Sequence, residues 1–126
     1  MKLHADRPDA HSIQSYGDGW ILVNGEKITR SIVLSSTHKP TDWPCTQWSN
    51  LRAEHFECLL DLQPEVVIFG SGRKLRFVHP SLHAGLMANR VGVETMDSAA
   101  ACRTFNILAQ EGRRVVLALL LEPPEA

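Results

Sequence analysis

The chain has 126 residues, of which 44% are hydrophobic and 21% charged, and its net charge is -1. This length suits one domain with one core, and the near-neutral charge gives no overall attraction to nucleic acid or to an anionic membrane. The stretch "MKLHADRPDAH" lacks the apolar core of a signal peptide, and "VVLALLL" is far shorter than the roughly 20 residues that span a bilayer. A cytosolic protein without membrane insertion is expected. Cys45, Cys58 and Cys102 match no zinc or disulfide spacing, which suits a reducing compartment.

In chain order, residues 1–11 read as a polar, loosely ordered tail to a single domain spanning 1–126. "SIQSYGDGWILVNGEKITRSIVLSS" has turn signals at Gly17-Asp18-Gly19 and Asn24-Gly25 between apolar and β-branched runs, which predicts an opening meander of strands. In the strand after the second turn, Ile28, Ile32 and Leu34 share one phase with Arg30. That arginine is expected to snorkel at a sheet rim or sit on a bulge rather than line a cleft. "THKPTDWPCTQW" is rich in turn formers and reads as a loop with Trp43 and Trp48 anchored on the core. Asn50 is placed to cap a helix from Leu51 to Leu62, with Leu51, Cys58, Leu59 and Leu62 inward and Pro64 as the stop.

"EVVIFG" reads as a buried strand, "SGRKLRFVHP" as a loop with an extended piece, "SLHAGLMAN" as a short helix and "VGVET" as a strand. "DSAAACRTFNILAQEG" is a longer helix with Asp97 at the N-cap and Gly112 beyond its end. "RVVLALLL" is apolar on both faces, as a central strand should be. Strand, helix, strand at this spacing is a crossover unit. The expected fold is α/β: a mixed sheet with helices packed on it and an N-terminal antiparallel hairpin layer.

On the longer helix, Ala101, Cys102, Phe105, Leu108 and Ala109 form one arc, so Cys102 is expected to be buried and inert. Arg103, Asn106 and Gln110 lie outside that arc, and Ile107 is turned away from the core. Glu111 opposes the helix dipole, which predicts a cationic partner in Arg113 or Arg114.

"MKLH", "SYGDGWILVNGEKITRSIV", the tryptophan-bearing loop, "PEVVIFGSG" and above all "VGVETMDSAAACRTFNILAQEGRRVVLALL", in this order and spacing, cover nearly the whole chain. They resemble the Mth938-type domain family, a family of unknown function that includes the mitochondrial complex I assembly factor 3. The resemblance implies a three-layer α/β domain, and because no mitochondrial targeting segment is visible a bacterial-type cytosolic member is expected. It brings no active site. Phe105 stands where the family pattern leads one to expect tyrosine, and "FGSG" where a Gly-Thr-Gly loop is expected; the missing phenol argues against any mechanism that uses it.

Gly70-Ser71-Gly72-Arg73-Lys74 follows a predicted strand, where open α/β folds bind ligands and where glycines let backbone amides approach an anion. Leu75 breaks the dinucleotide fingerprint and no helix follows, so a plain turn is favoured over an anion site. His79 and His83 are four apart, but Pro80 intervenes and no metalloprotease-type glutamate accompanies them; no metal and no cofactor are expected. Ser81 lacks a nucleophile-elbow context. Arg73, Lys74 and Arg76 are too few, without a stacking platform, for nucleic-acid recognition. Two function classes survive. The favoured one is a non-enzymatic protein-interaction or assembly module whose unidentified protein partner docks on Arg103, Ile107 and Gln110. The alternative is a small-molecule (anion) binding protein or enzyme, with a cleft walled by Gly70 to Lys74 and by Asp97-Ser98 if the two strands before them are close and parallel.

Overall fold

The computed structural model describes residues 12–122; the stretch 1–11, read as a loosely ordered tail, lies outside the described residues. β1 (Ile13–Gly17), β2 (Trp20–Val23) and β3 (Glu26–Ile28) form an antiparallel meander. Its second turn has Asn24 at φ 52° and Gly25 at φ 81°, the pair of positive values that a type I′ turn demands. β4 (Ile32–Ser35), β5 (Thr41–Asp42), β6 (Val66–Gly70), β7 (Gly92–Met96) and β8 (Val115–Leu119) build a second, mixed sheet in the order β5-β4-β8-β6-β7. Within it β6 runs parallel to both β7 and β8, while β4 is antiparallel to β8 and β5 to β4.

The strands β4, β6 and β8 alternate their side chains between two cores. Ile32, Leu34, Val66, Ile68, Val115, Leu117 and Leu119 face the meander and α3 (Ser98–Gln110), where they meet Ile13, Ile21, Val23, Ile28, Ala101, Cys102 and Phe105. Val33, Val67, Phe69, Val116 and Ala118 face the other way, onto Trp43, Cys45, Phe56, Leu59 and Leu86. That second side is covered by α1 (Ala53–Glu57), α2 (Ala84–Ala88) and the tryptophan loop. Three layers result, with the five-stranded sheet in the middle. The buried Trp43 indole donates to the His55 carbonyl at 2.9 Å and meets Phe56 and Phe69 edge-on at 5.7 and 6.0 Å. Trp48 stacks on Phe69 at 6.1 Å.

Three local expectations need correction. The segment after Asn24-Gly25 is two strands in two sheets: the chain leaves the meander after Ile28 and enters the mixed sheet at Ile32. The side-chain phase survives the jump because Ile28, Ile32 and Leu34 all face the same core. Arg30 sits in the gap, exposed, and pairs with Asp42 of β5 at 2.5 Å. The helix expected over 51–62 begins at Ala53 and tightens to a 3-10 turn at Cys58–Leu62, and its first turn is tied by the Arg52 amide donating to the His55 ring at 2.9 Å, not by Asn50. The three-residue period of that turn aligns Phe56, Leu59 and Leu62 and moves Cys58 off the inner face, so Cys58 is exposed. Glu111 does not receive its expected partner, because Arg113 pairs with Glu65 at 3.4 Å while Arg114 donates from its side chain to the Gln63 carbonyl at 3.1 Å.

Candidate functional site

β6 ends at Gly70, where an added Cβ would stand 2.4 Å from Leu119 Cδ1 and 3.2 Å from Ala101 Cβ. This glycine lets β8 and α3 close over the strand. Ser71 is fully buried, and its hydroxyl donates to the Lys74 carbonyl at 2.7 Å and accepts from the Arg76 amide at 3.0 Å. Gly72 offers its carbonyl to the Ser98 amide at 2.8 Å. Because β6 and β7 are parallel neighbours, the loop after one and the helix start after the other lie side by side. Adjacency of these two walls, which the sequence could pose only as a condition, is therefore met.

The basic residues of the loop diverge. Arg76 folds back, donating to the Ser71 carbonyl at 2.6 Å and to Glu122 Oε1 at 2.7 Å, with its guanidinium 4.3 Å over the Trp48 ring. Glu122 also accepts from the Trp48 amide at 3.0 Å. Burial alone would raise the Glu122 pKa, but the Trp48 amide, the Arg76 guanidinium and the charge of Arg73 outweigh it and hold the carboxyl below its ordinary value. Arg73 reaches across to pair with Asp18 in the turn between β1 and β2. Lys74 is exposed.

Between that turn, the loop after β6, the start of α3 and the chain leaving β8 lies a cleft of about 470 Å³. Gly72, Arg73, Asp97 and Ser98 line it, whereas Gly70 and Ser71 are buried beside it and Lys74 is not part of its wall. Tyr16, Trp20 and Ile21 from the meander, Ala99 from the helix, and Leu120, Leu121 and Glu122 complete the wall. No local sequence signal gives these residues a role in a site. The Asp18-Gly19 turn was legible as a turn, but nothing local places it over the ends of strands in the other sheet. At the helix start, Asp97 accepts from the Ala100 amide at 2.9 Å, as expected of a cap. With the Ser98 amide held by Gly72, two of the amides that a helix start offers are already occupied.

The outward side of α3 is partly engaged by the meander. Asn106 accepts from the Ile13 amide at 2.8 Å and donates to the Ile13 carbonyl at 2.9 Å, so its carboxamide mimics a neighbouring strand at the edge of β1. Arg103 donates to the Tyr16 hydroxyl at 3.0 Å, a contact with no sequence signal. Ile107 is 56% exposed, and Gln110 is exposed on the next turn. Cys102 is buried, and burial pushes its thiol up to about 12. Phe105 is fully buried in the same core. His79 accepts from the Ser81 amide at 3.1 Å, while the His83 ring packs edge-on against Phe56 at 4.6 Å and burial lowers its pKa. Among the described residues no group of three or more His, Cys, Asp or Glu could hold a metal ion, and no helix is long and apolar enough to cross a membrane.

Residues 13–120 match the family described as a protein of unknown function, DUF498/DUF598. The crystal structure of a Bordetella parapertussis protein superimposes with a TM-score of 0.84 at 38% identity, covering 89% of this chain and 96% of that one. The solution structure of a Bordetella pertussis Mth938-like domain gives 0.82 at 33% identity, covering 96% and 92%. The mouse NADH dehydrogenase [ubiquinone] 1 alpha subcomplex assembly factor 3 is 31% identical over 124 residues, which is 97% of this chain and 66% of that protein. The chain thus spans just under two thirds of the length of that curated relative.

Proposed function

Because the chain belongs to the DUF498/DUF598 family of proteins of unknown function, we propose that it is a non-enzymatic protein-interaction module of the assembly-factor type, acting in the cytoplasm. Its partner is a protein held on the exposed side of α3 by Arg103, Ile107 and Gln110. The observation that carries this reading is Ile107, a large apolar side chain more than half exposed on a helix fixed to two sheets. An arginine beside such a residue is the kind of anchor that interfaces use. Relatives named as NADH dehydrogenase [ubiquinone] 1 alpha subcomplex assembly factor 3 support the reading, and the three free thiols suit a reducing compartment. The test is affinity capture from the native cell with wild type, Ile107→Asp, and Arg103→Ala combined with Ile107→Asp. Both variants keep the wild-type circular dichroism and lose the partner. A folded double variant that still captures every wild-type partner removes this face from the interaction.

A second reading, a small-molecule binding protein or enzyme working beside Gly72 and Asp97, has in its favour the cleft of about 470 Å³. That volume lies within the range of ligand pockets, roughly 300 to 1,000 Å³.

A further inference from the structure

We infer that the outer edge of β7 binds the C-terminal segment of another polypeptide: an extended strand, antiparallel to β7, that ends in an apolar residue with a free carboxylate. This surface is separate from Arg103, Ile107 and Gln110 and goes beyond the partner-binding reading of α3. β7 ends the five-stranded sheet, and among the described residues only β6 pairs with it. The Ser71 amide donates to the Met96 carbonyl at 2.8 Å, which fixes the phase of the parallel ladder. Gly92, Glu94 and Met96 therefore use their backbone groups on β6, while Val93 and Thr95 each turn an amide and a carbonyl away from it. No bond among the described residues takes these four groups. The complement of such an edge is another extended backbone, which supplies donors and acceptors at the same spacing.

The start of β7 is what singles out a chain end. A cavity of about 390 Å³ lies there, lined by His83, Met87, Arg90, Val91, Gly92 and Val93. Arg90 lies just past α2 at φ 62°, a left-handed position that glycine takes without strain. Among the described residues its guanidinium has no ion pair and no hydrogen bond, so it ties no part of the fold together. His83 Nε2 is buried with no hydrogen-bond partner, whereas buried polar atoms are as a rule met by a protein group, water or a ligand. Met87 is 64% exposed, and a Cβ at Gly92 would meet nothing within 4 Å, so the approach along the outer side of the strand is open.

Strand direction and pleat join the edge to the cavity. In an antiparallel pair the incoming strand ends beside the beginning of β7, where Arg90 stands. A last residue opposite Val93 donates to the Val93 carbonyl, and its carboxylate accepts from the Val93 amide with an oxygen left for the guanidinium. Its side chain falls on the face of Val93, which is the side of α2 and the cavity. The residue before it lies opposite Glu94, which is exposed, and a lysine or arginine is the matching charge there.

The test is amide-observed NMR titration of the full chain with three probes. They are acetyl-Thr-Val-Lys-Leu with a free carboxylate, the same peptide amidated at its C-terminus, and 4-methylpentanoate, which is the carboxylate and side chain of the last residue alone. The free peptide shifts the Val93 and Thr95 amides and slows their hydrogen exchange, and the amidated one binds roughly tenfold more weakly. Arg90→Gly relaxes the left-handed position, so Tm stays level or rises, and it weakens the free peptide roughly tenfold while leaving the amidated one unchanged. Thr95→Pro removes an outward amide, which an edge strand tolerates because that group does not pair with β6, and it abolishes binding. Equal binding of the free and amidated peptides, wild-type affinity in Arg90→Gly, or no shift of the β7 amides at millimolar peptide overturns the inference. So does 4-methylpentanoate binding as tightly as the peptide, which leaves a pocket for a small carboxylate and no strand pairing.

Discussion

Asn106→Ala isolates what holds the meander to the rest of the protein. Asn106 gives the Ile13 amide an acceptor at 2.8 Å and the Ile13 carbonyl a donor at 2.9 Å, and Ile13 is only 4% exposed. The alanine variant leaves two backbone groups without partners in a nearly dry place. Each such group costs about 1 to 3 kcal/mol. The edge of the helix lies close enough to solvent for water to reach one of them, so the total is about 2 to 4 kcal/mol. That is a large share of the roughly 5 to 15 kcal/mol by which a domain is stable, and corresponds to a drop of roughly 10 °C in Tm. Urea denaturation followed by circular dichroism reads the loss, and hydrogen exchange of the Ile13 amide reads its origin. Asn106→Asp keeps the acceptor but turns a second acceptor on the Ile13 carbonyl, so it recovers little. A loss below about 0.5 kcal/mol, with the Ile13 amide still protected, would refute the reasoning.

Asp97→Ala should cost about 1 kcal/mol in a denaturation experiment, while Asp97→Asn, which still caps, should stay within a few tenths. In the native protein at pH 8, a thiol reagent should label Cys58 alone and reach Cys45 and Cys102 only after denaturant is added, since those two are buried and the Cys102 thiol is pushed up to about 12. Glu122 is held below its ordinary 4.5 in the folded state, so its contribution to stability is present above that value and is lost as pH falls through the lower folded pKa. Tm should accordingly fall less steeply below pH 4.5 in Glu122→Gln than in wild type; equal slopes would show that the Trp48 and Arg76 contacts carry no linkage.

The parts of the fold visible in the sequence are those governed by local rules. Asn24-Gly25 demands its turn, Asp97 caps its helix, and "VVLALLL" has no polar face to turn toward water. Where two sheets share one phase of alternation, as at Ile28 and Ile32, the pattern cannot report that the chain has changed sheets. Cys58 falls on the inner face under an α-helical period but off it under the three-residue period that the chain adopts from Cys58 to Leu62. At the site, Gly72, Arg73, Asp97 and Ser98 could be named because loops after parallel strands gather at one end. Tyr16, Trp20 and Ile21 could not, since their place in the wall is set by the packing of the meander against α3. The contact of Arg103 with Tyr16 is invisible in the sequence for the same reason, because the two residues lie 87 positions apart.

β8 lies at the centre of the mixed sheet, and its residues divide between the two cores: Val115, Leu117 and Leu119 on one side, Val116 and Ala118 on the other. Peeling this strand away would open both cores at once and sever the pairings to β4 and β6. Neither side of the protein therefore has a hydrophobic interior that survives the loss of the other. The indoles of Trp43 and Trp48 on one side and the phenol of Tyr16 on the other should report one and the same melting transition. Stabilisation gained by holding a partner or a ligand on one side is then shared by the whole domain, which behaves as a single rigid block and not as two lobes joined by a hinge.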